Sequence, residues 1–411
     1  HWTPWQAEDR ALVYSVSKTL TATAIGLAVG EGRLSLDDPV VALLPEADPG
    51  DPVVGRITVH HLLSMSTGHD EDTLTAIDGV PEQEWVSRLL AVRPQTPVGS
   101  RHIYNNGASF LLGEIVRRVT GTDLVDYLRP RVSEPLGIDL HWDRDRLGRA
   151  LGWTGAHLRV ADLAKLGELL RCDGMWNGVR LLPEGWVARA TSRQIPTDDP
   201  SQEWNLGYGY QCWMSREGFR LDGAFGQFSL VIPERELVIA ITSAQSLTQE
   251  LLDLVWDQLI PELPSDPIPA GHDALPVPED AQVGTEWSAD GPAELGASLS
   301  REEQQNLPEL TGLWARAHGT GYRFGFDHGG AAVELFAEPG SWQRQDLKLG
   351  AISLPVAVAA GTDASGVLNV RVAFVETPHT LRLQLTPDGQ AYQAWSVSPL
   401  HTADLGLLRV Y

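Results

Sequence analysis

Small and apolar residues fill nearly every position from Thr19 to Val29, and glycines follow at positions 30 and 32. A run of helix-forming residues that stops at glycine predicts one buried helix. Apolar residues at helical spacing predict further helices over residues 106–120, 122–132 and 160–172. A shorter helix is predicted over residues 58–66, with Thr58 as its cap and Gly68 as its stop.

The pattern changes after residue 200 to short runs that are rich in β-branched and aromatic residues. These runs cover residues 207–214, 219–221, 227–232 and 236–242, and such composition is typical of strands. A last helix is predicted over residues 247–260. Strands that follow a helical middle, with a helix at each end, predict an α/β (α+β) domain over residues 1–260, in which helices flank a sheet beside a helical region.

The remainder of the chain, from residue 261, has a third kind of composition. Six prolines between positions 261 and 278 mark residues 261–284 as a linker. Residues 285–411 carry few helix signals and alternate apolar with polar residues between turns. This pattern predicts a separate small all-β domain, either a barrel or a sandwich. No candidate catalytic cluster is found in it.

Composition narrows the possible partners. The formal net charge of −23 argues against a nucleic-acid surface or an anionic membrane as partner. No stretch approaches the length of a membrane span, and no signal peptide precedes the first helix. Because the chain starts without Met, its first residue is expected to be a processed end or the edge of a fragment. Compartment and oligomeric state are not predicted.

The two cysteines lack the spacing of a metal site. Cys172 and Cys212 could pair with each other, but two structural thiols that stay unpaired are the simpler interpretation.

The first candidate chemistry lies at the start of the predicted buried helix. Only three of the basic residues are lysines, and one of them, Lys18, stands three residues after Ser15. Residues at this spacing share one helix face. A desolvated lysine can lose its proton near neutral pH and take one from a serine, which an arginine cannot do. The Ser15 N–H, in the first turn, is available to stabilise an oxyanion. An ordinary surface lysine near a helix start is the alternative.

A second candidate is Tyr104-Asn105-Asn106, which directly precedes a predicted helix. A tyrosine beside an amine can act as general base and then as acid. An asparagine nearby offers a donor and an acceptor to a substrate amide. The alternative is that Asn105 or Asn106 caps the helix and Tyr104 packs on the core.

A third candidate is the glycine-containing segment from Asp222 to Gln227, between two predicted strands. Glycines at positions 223 and 226 permit a bend or a close backbone approach. A backbone N–H here would be a second oxyanion donor, whereas a simple β-bulge is the alternative.

These segments together resemble the serine β-lactamase-related family, which groups class C β-lactamases, D-Ala-D-Ala carboxypeptidases, D-aminopeptidases and related esterases. The segments that carry the resemblance are Tyr14-Ser15-Val16-Ser17-Lys18-Thr19, Ile57 to Gly68, Tyr104-Asn105-Asn106-Gly107 and Asp222 to Gln227. They follow one another in the order of the family and cover about residues 1–260. The Ser-x-x-Lys motif is the best known of the four.

The resemblance implies a β-lactamase/transpeptidase-like fold and an acyl-enzyme mechanism on a small-molecule or peptide substrate. Ser15 would be the acylated nucleophile, Lys18 would tune its proton transfer, and Tyr104 would be the general base and acid. Asn106 would orient the substrate, and Asp222, Gly223 and Ala224 would line its binding site. The N–H groups of Ser15 and Ala224 would form the oxyanion hole. No metal and no organic cofactor is implied.

The chain departs from the family pattern in two places. The third family motif carries a cation, as Lys-Thr-Gly or His-x-Gly, whereas this chain has Leu221-Asp222-Gly223. An aspartate there would repel a substrate carboxylate unless Arg220 compensates, which favours an esterase, amidase or peptidase over a β-lactamase. The chain also reaches Ser15 almost at once, so N-terminal strands of the family are expected to be missing.

Two other functions stay open from the sequence. A non-catalytic sensor or binding protein on the same scaffold would explain the absent cation, although it would not need Ser15, Lys18, Tyr104 and Asn106 together. A Ser-His-Asp hydrolase is the weaker reading, because the chain has no Gly-x-Ser-x-Gly motif.

Overall fold

The structure is a computed structural model that describes residues 1, 3–46, 51–263, 294–296, 298–301, 308–397, 399 and 403–408. The residues group into two compact units. One comprises Val13–Ser243 and Leu247–Gln258, and the other comprises His1–Leu12, Ala244–Ser246 and Leu259–Tyr411. Most of the predicted linker, residues 261–284, lies outside the described residues.

The helices, numbered in chain order, are α1 Val16–Gly30, α2 Val40–Leu43, α3 Val59–Leu63, α4 Trp85–Ala91, α5 Asn106–Thr120, α6 Leu124–Leu128, α7 Glu134–Leu136, α8 Val160–Arg171, α9 Trp186–Ala190, α10 Thr248–Leu254 and α11 Ile260–Glu262. The strands are β1 Ala11–Leu12, β2 His141–Trp142, β3 Ala156–Leu158, β4 Met175–Trp176, β5 Val179–Arg180, β6 Trp213–Met214, β7 Phe219–Gly223, β8 Gln227–Ile232, β9 Leu237–Ile241, β10 Glu294–Gly296, β11 Ser298–Arg301, β12 Thr311–His318, β13 Gly321–His328, β14 Ala331–Ala337, β15 Gln343–Leu349, β16 Ile352–Thr362, β17 Leu368–Phe374, β18 Thr380–Leu385 and β19 Gln390–Trp395.

Helix α1 is the buried centre of the first unit, as its sequence predicts. Every residue from Val16 to Ala28 is buried, so the helix has apolar neighbours on all sides rather than on one face. Gly26 lets a neighbouring element come close, because a Cβ there would lie 2.2 Å from the Trp186 ring. The Ser15 side chain caps none of the first N–H groups of the helix, so its hydroxyl is not used as a cap.

An antiparallel sheet in the order β6-β7-β8-β9 forms the second layer of this unit. Helix α8 packs on β8 and β9, and Gly167 permits the close contact, since a Cβ there would meet Ser229 Oγ at 2.4 Å. The described residues of the unit thus combine an antiparallel sheet, helices and a helical region. The predicted mixed fold is confirmed.

The buried residue Gln211 joins helices α1, α3 and α5. Its backbone carbonyl oxygen accepts a hydrogen bond from Thr19 Oγ1 of α1 at 2.7 Å. Its Oε1 accepts one from Ser109 Oγ of α5 at 2.6 Å, and its Nε2 donates to the Leu63 carbonyl of α3 at 3.0 Å. Because buried polar groups are costly unless paired, Gln211 fixes α1 relative to α5, which follows the tyrosine motif.

The second unit contains two sheets, in the orders β10-β12-β13-β14 and β11-β19-β18-β17-β16-β15. Its pairs are antiparallel apart from β11 with β19. Strand β18 shows the expected alternation: Leu381, Leu383 and Leu385 are buried, while Arg382 and Gln384 are exposed. Side chains of both sheets share one hydrophobic core. The predicted all-β C-terminal region is confirmed, with the features of a sandwich.

The first residues of the chain group with this β unit rather than with the unit that holds Ser15. Trp5 packs on Ala357 and Val375, and Arg344 forms an ion pair with Asp9. The Leu12 N–H donates to the Glu376 carbonyl at 2.8 Å. These contacts explain why the first unit begins at Val13. No helix in the described part of the chain has both the length and the apolar character that a membrane crossing requires.

Candidate active site

Ser15 lies at a strained turn that leads into helix α1. Tyr14 has φ +44°, a left-handed conformation that is costly for a bulky residue and is found most often where function demands it. The Tyr14 ring packs edge-on against Phe225, at 5.5 Å between centroids, and Phe225 also has positive φ, +63°. The Ser15 side chain is half-buried. The strained residue thus lies directly before Ser15, whose hydroxyl contacts Lys18.

Lys18 is a buried amine in direct contact with Ser15. Its Nζ atom lies 2.8 Å from Ser15 Oγ and donates a second hydrogen bond to the Trp153 carbonyl at 2.8 Å. The residue is only 1% exposed. Burial disfavours the ammonium and lowers the pKa of Lys18 to about 7, although the negative charges of Asp72 and Asp222 oppose this shift. A lysine with this pKa can exchange a proton with the serine at neutral pH.

The Tyr104 ring contacts the same amine. Lys18 Nζ lies over the Tyr104 ring, 4.9 Å from its centroid. The ring is also stacked on Trp213, with centroids 5.8 Å apart and planes at 14°. The Lys18 amine thus contacts both Ser15 and Tyr104. The sequence predicts that these three residues act together.

The two asparagines after Tyr104 take different positions. Asn105 is the cap of α5: its Oδ1 accepts from the Ala108 N–H at 3.1 Å and from Thr73 Oγ1 at 2.9 Å. Asn106 is the first residue of the helix, and its Nδ2 donates to Asp72 Oδ2 at 2.6 Å. Of the two capping candidates, Asn105 has the role. The amide of Asn106 is already engaged by a carboxylate that sequence reasoning did not single out.

The segment from Asp222 to Gln227 is a tight hairpin and not a β-bulge. Gly223 pairs with Gln227, so residues 224–226 form the loop between β7 and β8. A Cβ at Gly223 would lie 2.2 Å from the Val13 carbonyl oxygen, which shows how closely this strand end approaches the turn before Ser15. Within the described ranges, the N–H groups of Ser15 and Ala224 have no hydrogen-bond acceptor. Both predicted oxyanion donors are therefore available.

The charge of Asp222 acts on the Lys18 amine, whose pKa it raises, and is compensated by Arg220. The Arg220 Nε donates to Asp222 Oδ2 at 2.8 Å, and the guanidinium lies over the Trp204 ring at 4.8 Å from its centroid. Arg220 is fully buried and also faces Glu203. Burial raises the pKa of the Asp222 carboxyl above its ordinary value, while Arg220 opposes this shift. The repulsion of a substrate carboxylate expected from Asp222 alone is consequently weakened.

The histidines that follow Thr58 have structural partners. The Thr58 N–H donates to His61 Nδ1 at 3.1 Å, which completes a capping box for α3. His69 is hydrogen-bonded to Thr67. The predicted helix over 58–66 ends at Leu63, ahead of Gly68. In the described residues Cys172 and Cys212 are both unpaired thiols.

Asp72, the Trp153 carbonyl and Trp213 are the parts of the site that the sequence did not reveal. Each lies far from Ser15 along the chain and belongs to no motif. A weak signal existed only for Asp72, because an aspartate directly before a short helical turn is a common cap.

Comparison with known proteins identifies the family to which the chain belongs. The sequence profile of the beta-lactamase family matches residues 1–258. Among curated proteins, the chain is 27% identical to the 6-aminohexanoate-dimer hydrolase of Paenarthrobacter ureafaciens over 215 residues, which are 47% of this chain and 54% of that protein. It is 26% identical to penicillin-binding protein 4 of Amycolatopsis lactamdurans over 296 residues, 61% of this chain and 76% of that protein.

An esterase is also among the relatives. Esterase EstB of Burkholderia gladioli is 31% identical over 155 residues, 33% of this chain and 38% of the esterase. A solved Bacillus anthracis structure, provisionally assigned as a 6-aminohexanoate-dimer hydrolase, superposes with a TM-score of 0.54 at 20% identity and covers 64% of this chain and 74% of its own. The likeness shows a shared fold. The chain spans about half of the first curated relative, and these partial matches do not assign it a substrate.

Proposed function

Because the chain belongs to the beta-lactamase family, we propose that it is a serine hydrolase that cleaves an ester or amide through an acyl-enzyme. The observation that carries the proposal is the 2.8 Å contact between Lys18 Nζ and Ser15 Oγ. A pKa of about 7 for a buried lysine is what proton transfer from a serine requires at neutral pH. Relatives named as a 6-aminohexanoate-dimer hydrolase and as an esterase support a hydrolase of this kind.

In the acylation step, Ser15 Oγ attacks the substrate carbonyl carbon as its proton passes to neutral Lys18. The oxygen of the tetrahedral intermediate gains negative charge and accepts hydrogen bonds from the N–H groups of Ser15 and Ala224. Each such donor contributes about 3 kcal/mol to transition-state stabilisation in comparable sites. When the intermediate collapses, the Tyr104 hydroxyl gives its own proton to the leaving oxygen or nitrogen, which leaves a phenolate beside the Lys18 ammonium.

In the second step, a water attacks the Ser15 ester. The Tyr104 phenolate takes a proton from this water, and the Lys18 ammonium gives a proton to Ser15 Oγ as the acid product leaves, which restores the starting state of both groups. The reaction needs no group beyond these side chains and water, and its atoms and protons balance over the two steps. Tyr104 acts as acid in the first step and as base in the second, because deacylation is the reverse of acylation with water in place of the leaving group.

We infer that the substrate is a small molecule or peptide without a carboxylate next to the reacting bond. Leu221 stands where the family motif has its cation, and Arg220 is occupied by Asp222 and Glu203. The site therefore offers little to a β-lactam or D-Ala-D-Ala carboxylate, and we place esters and amides ahead of β-lactams.

The test is a hydrolysis panel with short-chain nitrophenyl esters, D-amino-acid amides and a chromogenic cephalosporin, run with Ser15→Ala beside the wild type. Ser15→Ala is expected to lose turnover and labelling by a fluorophosphonate probe. Ser87→Ala is the matched control and should keep both, because the Ser87 hydroxyl is exposed and donates to the Glu84 carbonyl. Turnover that survives Ser15→Ala would exclude Ser15 as nucleophile. A wild type that forms no adduct with any acylating probe would favour the non-catalytic binding protein.

A further inference from the structure

Trp204 is a half-buried tryptophan that contacts both members of the Arg220–Asp222 ion pair. The Arg220 guanidinium lies over the indole, 4.8 Å from the ring centroid. Because Arg220 is fully buried, this face of the indole is closed to solvent. Burial raises the pKa of the Asp222 carboxyl, while the charge of Arg220 and hydrogen bonds from Arg220 and from Trp204 oppose this shift. The indole N–H therefore donates to Asp222, since it is the one donor of this side chain.

The same indole is connected to the rest of the candidate site on two sides. Trp204 and Trp213 pack edge to face, with centroids 6.5 Å apart and planes at 78°. Trp213 in turn stacks on Tyr104, and the Trp204 and Tyr104 rings pack against one buried apolar cluster. Asp222 precedes Ala224, a proposed oxyanion donor, by two residues. The indole thus lies between the phenol and the strand end that carries the oxyanion donor.

The exposed part of the Trp204 ring is the part that a substrate can reach, and it faces away from Arg220. The ring cannot turn without breaking its contacts with Arg220 and Asp222. A fixed indole offers a flat apolar surface to a substrate group beside the reacting bond. An aromatic group gains more from such a surface than a saturated group of similar size, because stacking brings most of its atoms into contact at once.

The charges next to the indole determine which flat group it prefers. A tryptophan face also attracts cations, but the Arg220 guanidinium already occupies the opposite face and would repel a second positive charge. The nearby negative charge of Asp222 is compensated by the same arginine. A neutral aromatic ring meets no such repulsion. In this chain, the segment that carries the cation of the third family motif therefore positions an aromatic side chain.

We propose that Trp204 is a specificity-determining residue that stacks on an aromatic ring in the leaving group of the substrate. The preferred substrates are then esters of arylalkyl alcohols and amides of arylalkyl amines. We assign the ring to the leaving group because Trp204 packs with Tyr104 on one cluster, and the Tyr104 hydroxyl gives its proton to the leaving atom in the proposed mechanism. The inference rests on the proposed serine hydrolase function and makes its substrate class more specific.

The test compares 2-phenylethyl acetate with 2-cyclohexylethyl acetate, and the acid released is measured by titration at constant pH. The same short alkyl spacer separates the ring from the reacting bond in both esters, so the two alcohols are similar as leaving groups. The wild type is expected to hydrolyse the phenyl ester with a kcat/KM about two- to tenfold higher, the usual gain from an aromatic pair.

The results for the wild type separate the inference from the proposed function. Equal kcat/KM values for the two esters would overturn the inference and leave the proposed function intact. Turnover of the nitrophenyl esters of the panel without turnover of either acetate would do the same. A wild type that hydrolyses neither this pair nor any member of the panel would contradict the proposed function itself.

Two substitutions at position 204 separate the flat ring from the indole N–H. Trp204→Leu removes the flat surface and should bring the substrate ratio close to one. Trp204→Phe keeps a flat ring but loses the hydrogen bond to Asp222, so most of the ratio should remain even where the rate falls. Because each ratio compares two substrates of one protein, a smaller folded fraction does not change it. A wild-type ratio in Trp204→Leu would overturn the inference.

Trp176→Leu is the matched control and should keep the wild-type ratio, since Trp176 is also half-buried but lies in the β4–β5 hairpin. The preference for a neutral ring is tested with acetylcholine and its uncharged analogue 3,3-dimethylbutyl acetate. The wild type is expected to show no preference for the cation. A higher kcat/KM for acetylcholine that disappears in Trp204→Leu would overturn the inference that the indole binds a neutral ring.

Discussion

The rings of Tyr104 and Trp213 stack nearly in parallel, 5.8 Å apart and 14° from coplanar. Trp213 is itself held edge-on by Tyr208 at 4.8 Å and is 8% exposed. A rigid indole against the phenol restricts where the Tyr104 hydroxyl can lie. Proton transfer depends on such placement, since an error of about 1 Å can cost on the order of 100-fold in rate.

Trp213→Leu is therefore expected to lower kcat by at least about tenfold, with a smaller change in KM, because the phenol loses its stacking partner. Trp213→Phe keeps a flat ring and should recover most of the loss. Trp176→Phe, in the β4–β5 hairpin, is the control for a general effect of tryptophan loss. Steady-state kinetics on one nitrophenyl ester measure all three. Equal kcat in Trp213→Leu and wild type would show that the stack does not position Tyr104.

The pKa of Lys18 predicts the pH dependence of the reaction. Burial lowers it to about 7, so the amine is mostly neutral above that pH and mostly protonated below it. Only the neutral amine can accept the Ser15 proton. The value of kcat/KM should hence rise with pH, about tenfold per unit well below pH 7, and level off above it. The Lys18 amine contacts Ser15, the Trp153 carbonyl and the Tyr104 ring, and the charges of Asp72 and Asp222 also act on its pKa.

Lys18→Arg tests this assignment, because a guanidinium stays protonated at every accessible pH. We expect a fall in kcat/KM of at least about 100-fold, the usual loss when a general base is removed, and no remaining rise near pH 7. Lys165→Arg, whose amine pairs with Asp162 in α8, should keep both the rate and the profile. An unchanged rise near pH 7 in Lys18→Arg would assign the titration to another group.

Helix α5 shows how far local sequence determines structure. Its predicted bounds, 106–120, are those of the structure, because cap, apolar spacing and stop lie within one segment. The Asn105 side chain caps the first turn, and Gly121 takes the left-handed conformation, φ +71°, that ends the helix.

The segment 207–214 shows where the same reasoning fails. Its aromatic residues predict one strand, but only Trp213–Met214 is a strand. Gln211 has φ +57°, which breaks an extended chain, and its N–H donates to the Leu63 carbonyl. A partner 148 residues away along the chain overrides the local preference. For the same reason, Asp72 and Trp213 could not be assigned to the site from their own neighbours in sequence.

The buried Arg220 is expected to be essential for stability as well as for the charge at the site. Arg220→Met leaves the carboxylates of Asp222 and Glu203 without their shared partner. Removing one member of a buried ionic cluster typically costs about 3–5 kcal/mol, so the midpoint of thermal unfolding should fall by several degrees. The double variant Arg220→Met/Asp222→Asn should recover part of the loss.

The control for this prediction is Arg33→Met. Arg33 is exposed and pairs with Glu31, and such surface pairs contribute at most about 1 kcal/mol. If Arg220→Met melts at the temperature of Arg33→Met, the buried cluster does not stabilise the unit.

Position 223 is expected to require glycine because the backbone of Val13 lies too close for a Cβ atom, and not because the chain must be flexible there. A Cβ at this position would lie 2.2 Å from the Val13 carbonyl oxygen, and a backbone atom cannot rotate away as a side chain can. Gly223→Ala must then push the end of β7 away from the turn before Ser15. Because Ala224 directly follows, the two oxyanion donors would separate, and kcat should fall by about 100-fold or more, as when one donor is lost.

Gly55→Ala is the matched control, since nothing lies within 4 Å of a Cβ there, and it should leave kcat unchanged. The informative measurement is kcat together with the midpoint of thermal unfolding. A folded Gly223→Ala protein that has lost turnover but still binds substrate would agree with a displaced oxyanion hole. A folded Gly223→Ala protein with the kcat of the wild type would mean that the Ala224 N–H does not contact the oxyanion, and the proposed pair of donors would have to be abandoned.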